Sequence, residues 1–357
     1  MKQLFLSALK PGMITAENIF SLQGRLLIPK GTTLTRSMIG MLESYSVHTV
    51  RISEEIPPAP ANTAAAPTYM QRVRNSEEFK HFQQEYDTHI ERFETALNDL
   101  VEKNTTLDID WLLHETLSLL YQNGQSLNVM DMLMNVRQYD DSTYTHCINV
   151  ALICHVFSDW LNFTPEEQRT ATLCGLFHDI GKLMVSKDII QKPARLTKEE
   201  FDAVKAHTVG GYEILSRYNI DEHVRNAALM HHEKCDGSGY PHGLRGAQID
   251  RYAKMVTIAD IYDAMTSRRV YREPICPFEV IRQFELEGLQ KYDTRYILTF
   301  LENVVNSYIN QRVHLSNGME GDVIFINRAD LACPTIRCED RFIDLAEDKN
   351  LYIEYIM

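Results

Sequence analysis

Histidine and aspartate residues occur in the middle of this 357-residue sequence, within segments that otherwise read as apolar helices. Eight of the 13 histidines lie between residues 146 and 242. One histidine on an apolar face is usually a hydrogen-bonded core residue, but five such segments are hard to explain independently. Burying so many ionisable groups is unfavourable unless a metal ion or the groups themselves compensate. The candidate metal ligands are His146, His178, Asp179, His207, His231, His232 and Asp260.

The number and type of these ligands predict a particular kind of metal centre. Five imidazoles and two carboxylates exceed what one tetrahedral zinc ion needs, and they suit two divalent ions bridged by Asp179. Nitrogen and oxygen ligands without thiolate favour iron or manganese over a structural zinc. Two neighbouring ions stabilise the attacking and leaving oxygens of an in-line displacement at phosphorus. We therefore expect chemistry on a phosphate ester.

Basic residues near the candidate ligands could contact the phosphate. Lys182 follows His178 by four residues and shares its helix face if the helix continues past Gly181. Three arginines follow the segment that carries Asp260, namely Arg268, Arg269 and Arg272. Alone they would indicate a solvated surface, but beside two metal ions phosphate contact is the better interpretation.

A tight loop, Cys235 to Pro241, comes directly after the His231-His232 pair. Within this loop, Gly239 and Pro241 flank Tyr240 and would hold its side chain close to the predicted metal ions, where it could contact a substrate.

The elements that must position these residues form a mainly α, multidomain protein. Helical patterns dominate residues 105–312. Successive candidate ligands are 24 to 32 residues apart, which fits one helix plus a turn, so successive helices could each supply a ligand to one centre. Residues 1–52 predict a small α+β module, and residues 313–357 predict a short β appendage. Residues 53–70 predict a linker rich in proline and alanine, and residues 71–104 a long amphipathic helix.

That long helix is predicted to open at Asn75, with Glu78 completing a capping box. Its apolar residues recur at steps of three and four: Phe79, Phe82, Tyr86, Ile90, Phe93, Leu97 and Leu100. This seam is typical of a helix that packs on a neighbouring domain or of a helix that forms a homodimer, and we favour dimerisation slightly.

The overall charge of −13 disfavours binding to DNA and to anionic membranes. No apolar run is long enough to span a membrane, and the first residues lack a signal-peptide cleavage pattern. Seven scattered cysteines suit a reducing compartment. We therefore expect a cytoplasmic protein.

Taken together, these motifs resemble the HD-GYP family of metal-dependent phosphohydrolases over about residues 130–312. The matching stretches are His178-Asp179-Ile180-Gly181-Lys182, His207, the run from His231 to Pro241, and the run from Ile258 to Ser267. The resemblance implies an all-α HD-type helical bundle, a site for two or three ions, often iron or manganese, and phosphodiesterase activity on cyclic di-GMP.

The resemblance also implies roles for individual residues. All seven candidate ligands match the family's metal ligands, and Lys182 matches a lysine near the scissile phosphate. Arg269 and Arg272 match positions that contact substrate phosphate. The Gly239-Tyr240-Pro241 segment matches the loop that names the family, which is also implicated in contacts with other signalling proteins.

One position departs from the family pattern. Members with three metals carry a glutamate about one turn before the first histidine ligand, where this sequence has Ser142. We therefore predict two ions, with Asp141 as an alternative third-site ligand.

The resemblance predicts hydrolysis of cyclic di-GMP to linear pGpG, with further cleavage to GMP left open, in bacterial second-messenger signalling. Two alternatives remain at this point. One is a phosphodiesterase for another cyclic dinucleotide such as 3',3'-cyclic GMP-AMP, and the other is a sensor that binds a cyclic dinucleotide without hydrolysing it.

Overall fold

The computed structural model describes most of the chain, and every structural statement below refers to the described residues. These are 2–10, 12–20, 26–32, 34, 38–39, 42, 47, 49–53, 67–103, 105–121, 129–136, 142–190, 192, 194–267, 272–339 and 341–357. They form two compact units, Tyr69–Tyr308 and the combination of Met1–Thr68 with Ile309–Met357. The predicted linker lies largely outside the described residues.

The unit Tyr69–Tyr308 is helical. Its α-helices are α1 (Tyr69–Asn75), α2 (Glu77–Glu102), α3 (Ile109–Tyr121), α4 (Val129–Val136), α5 (Thr143–Trp160), α6 (Pro165–Phe177), α7 (Lys187–Ile190), α8 (Lys198–Lys205), α9 (His207–Leu215), α10 (Glu222–Met230), α11 (Arg251–Thr266), α12 (Pro277–Gln283), α13 (Leu289–Lys291) and α14 (Thr294–Val304). Single turns of 3-10 helix at Ile180–Met184, Gly246–Gln248 and Val305–Tyr308, and a π turn at Phe284–Gly288, complete it.

Helix α5 lies at the centre of this unit. It is buried along most of its length because its residues are apolar all round, as is typical of a core helix. It packs against α6 and α11, while α10 packs against α6, α9 and α11. The ends of these helices therefore meet, and they carry the histidines and aspartates singled out from the sequence.

The start of the long helix differs from its prediction. Asn75 is the last residue of α1, and Ser76 is the N-cap of α2. The Ser76 hydroxyl accepts a hydrogen bond from the Phe79 N–H (3.1 Å), which satisfies one of the first helical donors. The predicted capping residue was therefore wrong by one position.

The apolar seam of α2 is buried inside the unit. Its most buried residues are Phe79, Phe82, Tyr86, His89, Phe93 and Leu97, and α2 packs on α3 and α5. His89 takes the buried place that the pattern assigned to Ile90, which is half-buried. Intramolecular contacts cover these residues, so the packing interpretation is confirmed, and dimerisation through this helix stays a prediction.

The other unit is built on antiparallel strands. They are β1 (Lys2–Phe5), β2 (Ile14–Thr15), β3 (Ile19–Phe20), β4 (Leu26–Ile28), β5 (Thr49–Ser53), β6 (Arg312–Leu315), β7 (Glu320–Phe325), β8 (Thr335–Cys338), β9 (Arg341–Asp344) and β10 (Ile353–Ile356). They form sheets ordered β1-β5-β2, β3-β4 and β10-β6-β7-β8-β9. In the first sheet, Lys2 pairs with Ile52. The predicted β regions at both ends of the chain are confirmed.

Strand β1 leads directly into a tight turn. It ends at Phe5, because Leu6–Ala8 form a 3-10 turn closed by the Leu9 N–H donating to the Leu6 carbonyl (3.1 Å). Met38, Ile39 and Leu42, which lie between β4 and β5 in the chain, are helical.

The two ends of the chain share one apolar core. Residues such as Leu42, Val50 and Ile52 form this core, and Ile324, Phe325 and Phe342 from the C-terminal strands pack against it. The sequence treated residues 1–52 and 313–357 as separate modules, whereas the structure brings them into one unit.

Within the described ranges, no helix is both long and apolar enough to cross a lipid bilayer.

Candidate metal centre

All seven predicted metal ligands come together in the helical unit. They arrive from separate elements: His146 from the first turn of α5, His178 and Asp179 from the end of α6, His207 from the start of α9, His231 and His232 from the end of α10, and Asp260 from α11. All except His232 are buried, and the His232 side chain is 26% exposed. The helix ends thus assemble one polar cluster inside an apolar bundle.

The cluster divides into two ligand groups that share one carboxylate. His146, His178 and Asp179 form one group, and Asp179, His207, His231 and His232 form the other. Within each group, one donor atom per residue lies within 4.8 Å of the others.

Asp179 presents a different oxygen to each group. Its Oδ2 atom lies 3.4 Å from His178 Nε2 and 3.9 Å from His146 Nε2. Its Oδ1 atom lies 3.3 Å from His207 Nε2 and 3.7 Å from His231 Nε2. Such a carboxylate is arranged to bridge two cations.

Asp260 adds a second carboxylate to the first group. Its Oδ1 atom lies 2.9 Å from His146 Nε2 and 3.9 Å from His178 Nε2. Its Oδ2 atom lies 4.0 Å from His232 Nδ1, at the edge of the second group. Every predicted ligand therefore borders the cluster.

The outer nitrogen of four histidines is held by a hydrogen-bond acceptor. The Nδ1–H group of His178 donates to the Gly175 carbonyl (2.7 Å), and that of His207 donates to the Val204 carbonyl (2.6 Å). The Nδ1–H group of His231 donates to the Ala228 carbonyl (3.0 Å). The Nδ1 atom of His146 pairs with Asp263 Oδ2 at 2.7 Å. These acceptors leave the inward Nε2 lone pairs available to a metal, as is usual for histidine ligands.

The inward atoms fit a divalent cation better than they fit one another. His207 Nε2 and His231 Nε2 lie 3.2 Å apart, and with the protons on Nδ1 both present lone pairs. Among the described residues, the buried atoms His178 Nε2 and Asp179 Oδ1 have no hydrogen-bond partner. Unsatisfied buried groups are costly, and cations would satisfy these.

The protonation states also suit metal binding. Burial would raise the pKa of Asp179, but Lys182 and His178 outweigh burial and hold that pKa well below its ordinary value. Burial lowers the pKa of His207 to about 4. Burial, together with the neighbouring His231, likewise lowers the pKa of His232. At neutral pH the carboxylate is therefore charged and these two imidazoles are neutral, which are the ligating forms.

Lys182 reaches the cluster by a different route from the predicted one. Helix α6 ends at Phe177, and Lys182 lies in the 3-10 turn that follows, not on a continued α-helix face. Its Nζ atom donates to Asp179 Oδ2 at 2.5 Å. Gly181 permits this turn, since a Cβ atom there would lie 1.9 Å from the His207 carbonyl oxygen.

The predicted Gly-Tyr-Pro loop borders the second ligand group. The Tyr240 ring stacks on His232 with centroids 4.6 Å apart. A Cβ atom at Gly239 would lie 2.5 Å from backbone atoms of His232 and Glu233, so only glycine fits this close approach. The loop is thereby fixed against the candidate ligands.

Sequence reasoning missed two buried acids that support the centre. Glu233, 2% exposed, accepts hydrogen bonds from the backbone N–H groups of His242 (2.7 Å) and Leu244 (2.8 Å) and closes the loop. Asp263 orients His146 and is 1% exposed. Its position three residues after Asp260, on one helix face, was the available signal.

The predicted arginine contacts fare differently. Arg269, like Arg268, lies outside the described residues. The Arg272 guanidinium donates a hydrogen bond to the Ala264 carbonyl (2.6 Å) in the last turn of α11. This contact caps the C-terminal end of the helix. Its phosphate contact stays a prediction.

Ser142, at the position of the family's third-site glutamate, is the N-cap of α5. Its hydroxyl accepts a hydrogen bond from the Thr145 N–H at 3.1 Å. Asp141 lies outside the described residues.

Comparison with known proteins defines the class. A profile of the HD domain family matches residues 112–296, just over half of the chain. The chain belongs to the HD domain family. A solved HDG"Y"P protein from Bdellovibrio bacteriovorus has the same fold over 84% of this chain and 97% of its own, with a TM-score of 0.50 and 16% identity. The resemblance inferred from the motifs is confirmed.

Among curated relatives, a cyclic di-GMP phosphodiesterase of Pseudomonas aeruginosa is 32% identical over 211 residues, which are 59% of this chain and 51% of the relative. A cyclic di-GMP phosphodiesterase of Thermotoga maritima is 37% identical over 182 residues, 49% of this chain and 48% of the relative. A 3'3'-cGAMP-specific phosphodiesterase of Vibrio cholerae is 37% identical over 139 residues, 39% of this chain and 32% of the relative. The chain thus spans about half or less of the length of these relatives.

Proposed function

We propose that this protein is a metal-dependent phosphodiesterase that hydrolyses cyclic di-GMP to linear pGpG. The observation that carries the proposal is Asp179, whose two oxygens face two separate ligand groups inside an HD domain. The names of the curated relatives support a cyclic dinucleotide as the substrate class.

Two divalent cations, iron or manganese, would be held by the seven predicted ligands. His146, His178, Asp179 and Asp260 surround one position, and Asp179, His207, His231 and His232 surround the other. When bound, such ions supply Lewis acidity toward phosphoryl oxygens and lower the pKa of water.

Lys182 places a positively charged side chain beside Asp179. Burial disfavours its charge, but Asp179 outweighs burial and raises the pKa of Lys182, so the ammonium group stays protonated. Lys182 lines a cavity of about 930 Å³ that Asp179 also lines. We assign Lys182 the stabilisation of charge on the phosphoryl oxygens.

Tyr240 and its neighbours would bind the substrate from the other side of the centre. Stacking on His232 fixes the ring, and burial with the charges of Asp179 and Asp260 raises the pKa of Tyr240, so its hydroxyl stays protonated and can donate. Gly239 and Pro241 hold the ring there. Arg269 and Arg272 remain proposed phosphate contacts, and a signalling protein remains a proposed partner for this loop.

The experiment is a hydrolysis assay of the full chain, purified anaerobically with its metals. We expect cyclic di-GMP to be converted to pGpG, and product analysis over time to show whether GMP follows. Comparison with 3',3'-cyclic GMP-AMP ranks the two substrates. Tight binding of cyclic di-GMP without turnover by the Fe(II)- or Mn(II)-loaded protein would overturn the enzymatic proposal and establish a sensor.

We also propose that the reaction takes place in the cytoplasm. The seven cysteines predict a reducing compartment, and Cys147, Cys154 and Cys174 are buried free thiols.

A further inference from the structure

The cavity beside the candidate metal centre has one wall outside the family-matched segment. Its lining includes Asp179 and Lys182, and it also includes Glu94, Asn98 and Glu102 of α2. Helix α2 ends before residue 112, where the HD profile begins to match. At about 930 Å³ the cavity has the size of a small-molecule site.

The cavity reaches a buried carboxylate of the candidate metal centre. Asp179 is 2% exposed, and its Oδ1 atom has no hydrogen-bond partner among the described residues. A ligand that fills this cavity would therefore contact both Asp179 and residues of α2.

The three α2 side chains follow one another at intervals of four residues. Glu94, Asn98 and Glu102 consequently share one helix face, with the two carboxylates roughly 12 Å apart along the axis. Among the described residues, the ion pair at this end of α2 joins Lys103 to Asp99 (2.8 Å) and includes neither glutamate. Both acids are solvent-exposed, so their carboxylates are available to a ligand.

Tyr144 links this face to the cavity. Its hydroxyl donates to Asn98 Oδ1 at 3.0 Å. Burial raises the pKa of Tyr144, and the negative charges of Glu94 and Glu102 raise it further. Tyr144 lines the same cavity as both acids. The acids and the aromatic ring thus form one recognition surface.

The charges along the cavity match the two chemical parts of a cyclic dinucleotide. Lys182, Lys187 and Arg195 line the cavity and supply positive charge, which suits phosphate. The carboxylates of Glu94 and Glu102 would repel phosphate and suit a ligand group that carries hydrogen-bond donors. Guanine offers N1–H and N2–H donors side by side, whereas adenine presents an acceptor at N1, so a carboxylate accepts two bonds from guanine only.

We propose that Glu94 and Glu102 bind the Watson–Crick edges of guanine in a cyclic dinucleotide, so that α2 determines guanine selectivity. This inference rests on the function proposed above. A site built to hydrogen-bond a base edge rejects an analogue that leaves its polar groups unpaired.

The test compares wild-type protein with Glu94→Gln, Glu102→Gln and the double variant. Glutamine keeps the size and one acceptor of glutamate but loses the charge and the paired acceptors. Glu85→Gln is the matched control, because Glu85 is on α2 but does not line the cavity. For each protein, kcat/KM is measured with cyclic di-GMP, 3',3'-cyclic GMP-AMP and cyclic di-AMP. Calorimetry with slowly hydrolysed phosphorothioate analogues of the same three compounds gives Kd independently of turnover.

We expect wild-type protein to prefer guanine, each single variant to lose that preference by roughly tenfold or more, and the control to retain it. Retained preference in the double variant, or wild-type protein that does not distinguish guanine from adenine, would overturn the inference. If wild-type protein binds the analogues with guanine preference but hydrolyses none of the substrates, the proposed function fails while the calorimetry still decides the role of α2. No binding of any analogue would overturn both.

Discussion

At the scale of single residues, the sequence identified every candidate ligand but not the groups that hold the ligands in place. An imidazole or carboxylate in an apolar helix is visible in a sequence because its burial needs compensation. The acceptors that orient His178, His207 and His231 are backbone carbonyls, which every residue possesses. Nothing in the pattern of residue types marks those carbonyls, so only the folded backbone reveals them.

His89 shows the same contrast away from the centre. The heptad pattern passed over it, yet it is 2% exposed on α2. Its Nε2–H donates to Thr116 Oγ1 (2.9 Å), whose own proton goes to the Leu112 carbonyl. No described residue accepts from His89 Nδ1. A proton on that atom would therefore have no partner, and burial lowers the pKa of His89 to about 4.

This residue predicts a pH dependence of stability. Because the folded pKa lies below the ordinary value of 6.5, the unfolded chain binds more protons between pH 6.5 and 4. The free energy of unfolding should fall as the pH falls through that range, by at most roughly 1.4 kcal/mol per pH unit from this group. His89→Leu should make the dependence shallower, as measured by urea unfolding of metal-free protein at several pH values. Identical pH profiles for the two proteins would contradict this assignment.

At the scale of elements, the helices were predictable and their ends were not. Apolar periodicity indicates which residues form a helix. It does not show that α6 ends at Phe177, because that end depends on packing against α9. The 3-10 turn packs on α9, with Gly181 against the His207 carbonyl. Lys182 therefore reaches Asp179 from a 3-10 turn. The sequence near Lys182 could not predict this turn, because the turn depends on packing against a helix that comes later in the chain.

Gly181→Ala tests this close packing. The new Cβ atom would overlap backbone atoms of His207 and Gly211, so the turn and α9 must separate. We expect a loss of about 3 kcal/mol or more in stability, with weaker metal binding, since the separation moves Asp179 away from His207. Thermal unfolding and metal titration measure both effects. Gly288→Ala is the control, because its Cβ atom would meet no heavy atom closer than 3.4 Å; equal behaviour of the two variants would refute the packing argument.

At the scale of the whole molecule, the net charge calculated from the composition does not predict the charges that line individual cavities. A charge of −13 argues against DNA and membrane surfaces, yet one cavity is lined by Lys182, Lys187 and Arg195. The association of the two chain ends was equally hidden. Their contacts join residues about 300 positions apart, and local patterns carry no information about such pairings.

The shared core of the two chain ends predicts a coupled response. Phe342→Ala removes an aromatic ring that packs against the core containing Val50 and Ile52. We expect a loss of about 1–3 kcal/mol in that unit, seen as faster amide hydrogen exchange in β5. Exchange in α5 of the other unit should stay unchanged. Unaltered exchange in β5 would show that the C-terminal strands do not stabilise the N-terminal core.

The central claim is that one carboxylate serves two metal positions in a phosphodiesterase. The most direct measurement is metal content and cyclic di-GMP turnover of Asp179→Ala beside wild-type protein, with Asp110→Ala, an exposed aspartate of α3, as the control. We predict about two metal equivalents in wild type and in the control. Asp179→Ala should lose metal from both positions and lose turnover by on the order of 10³-fold or more. Wild-type turnover by Asp179→Ala would contradict the account.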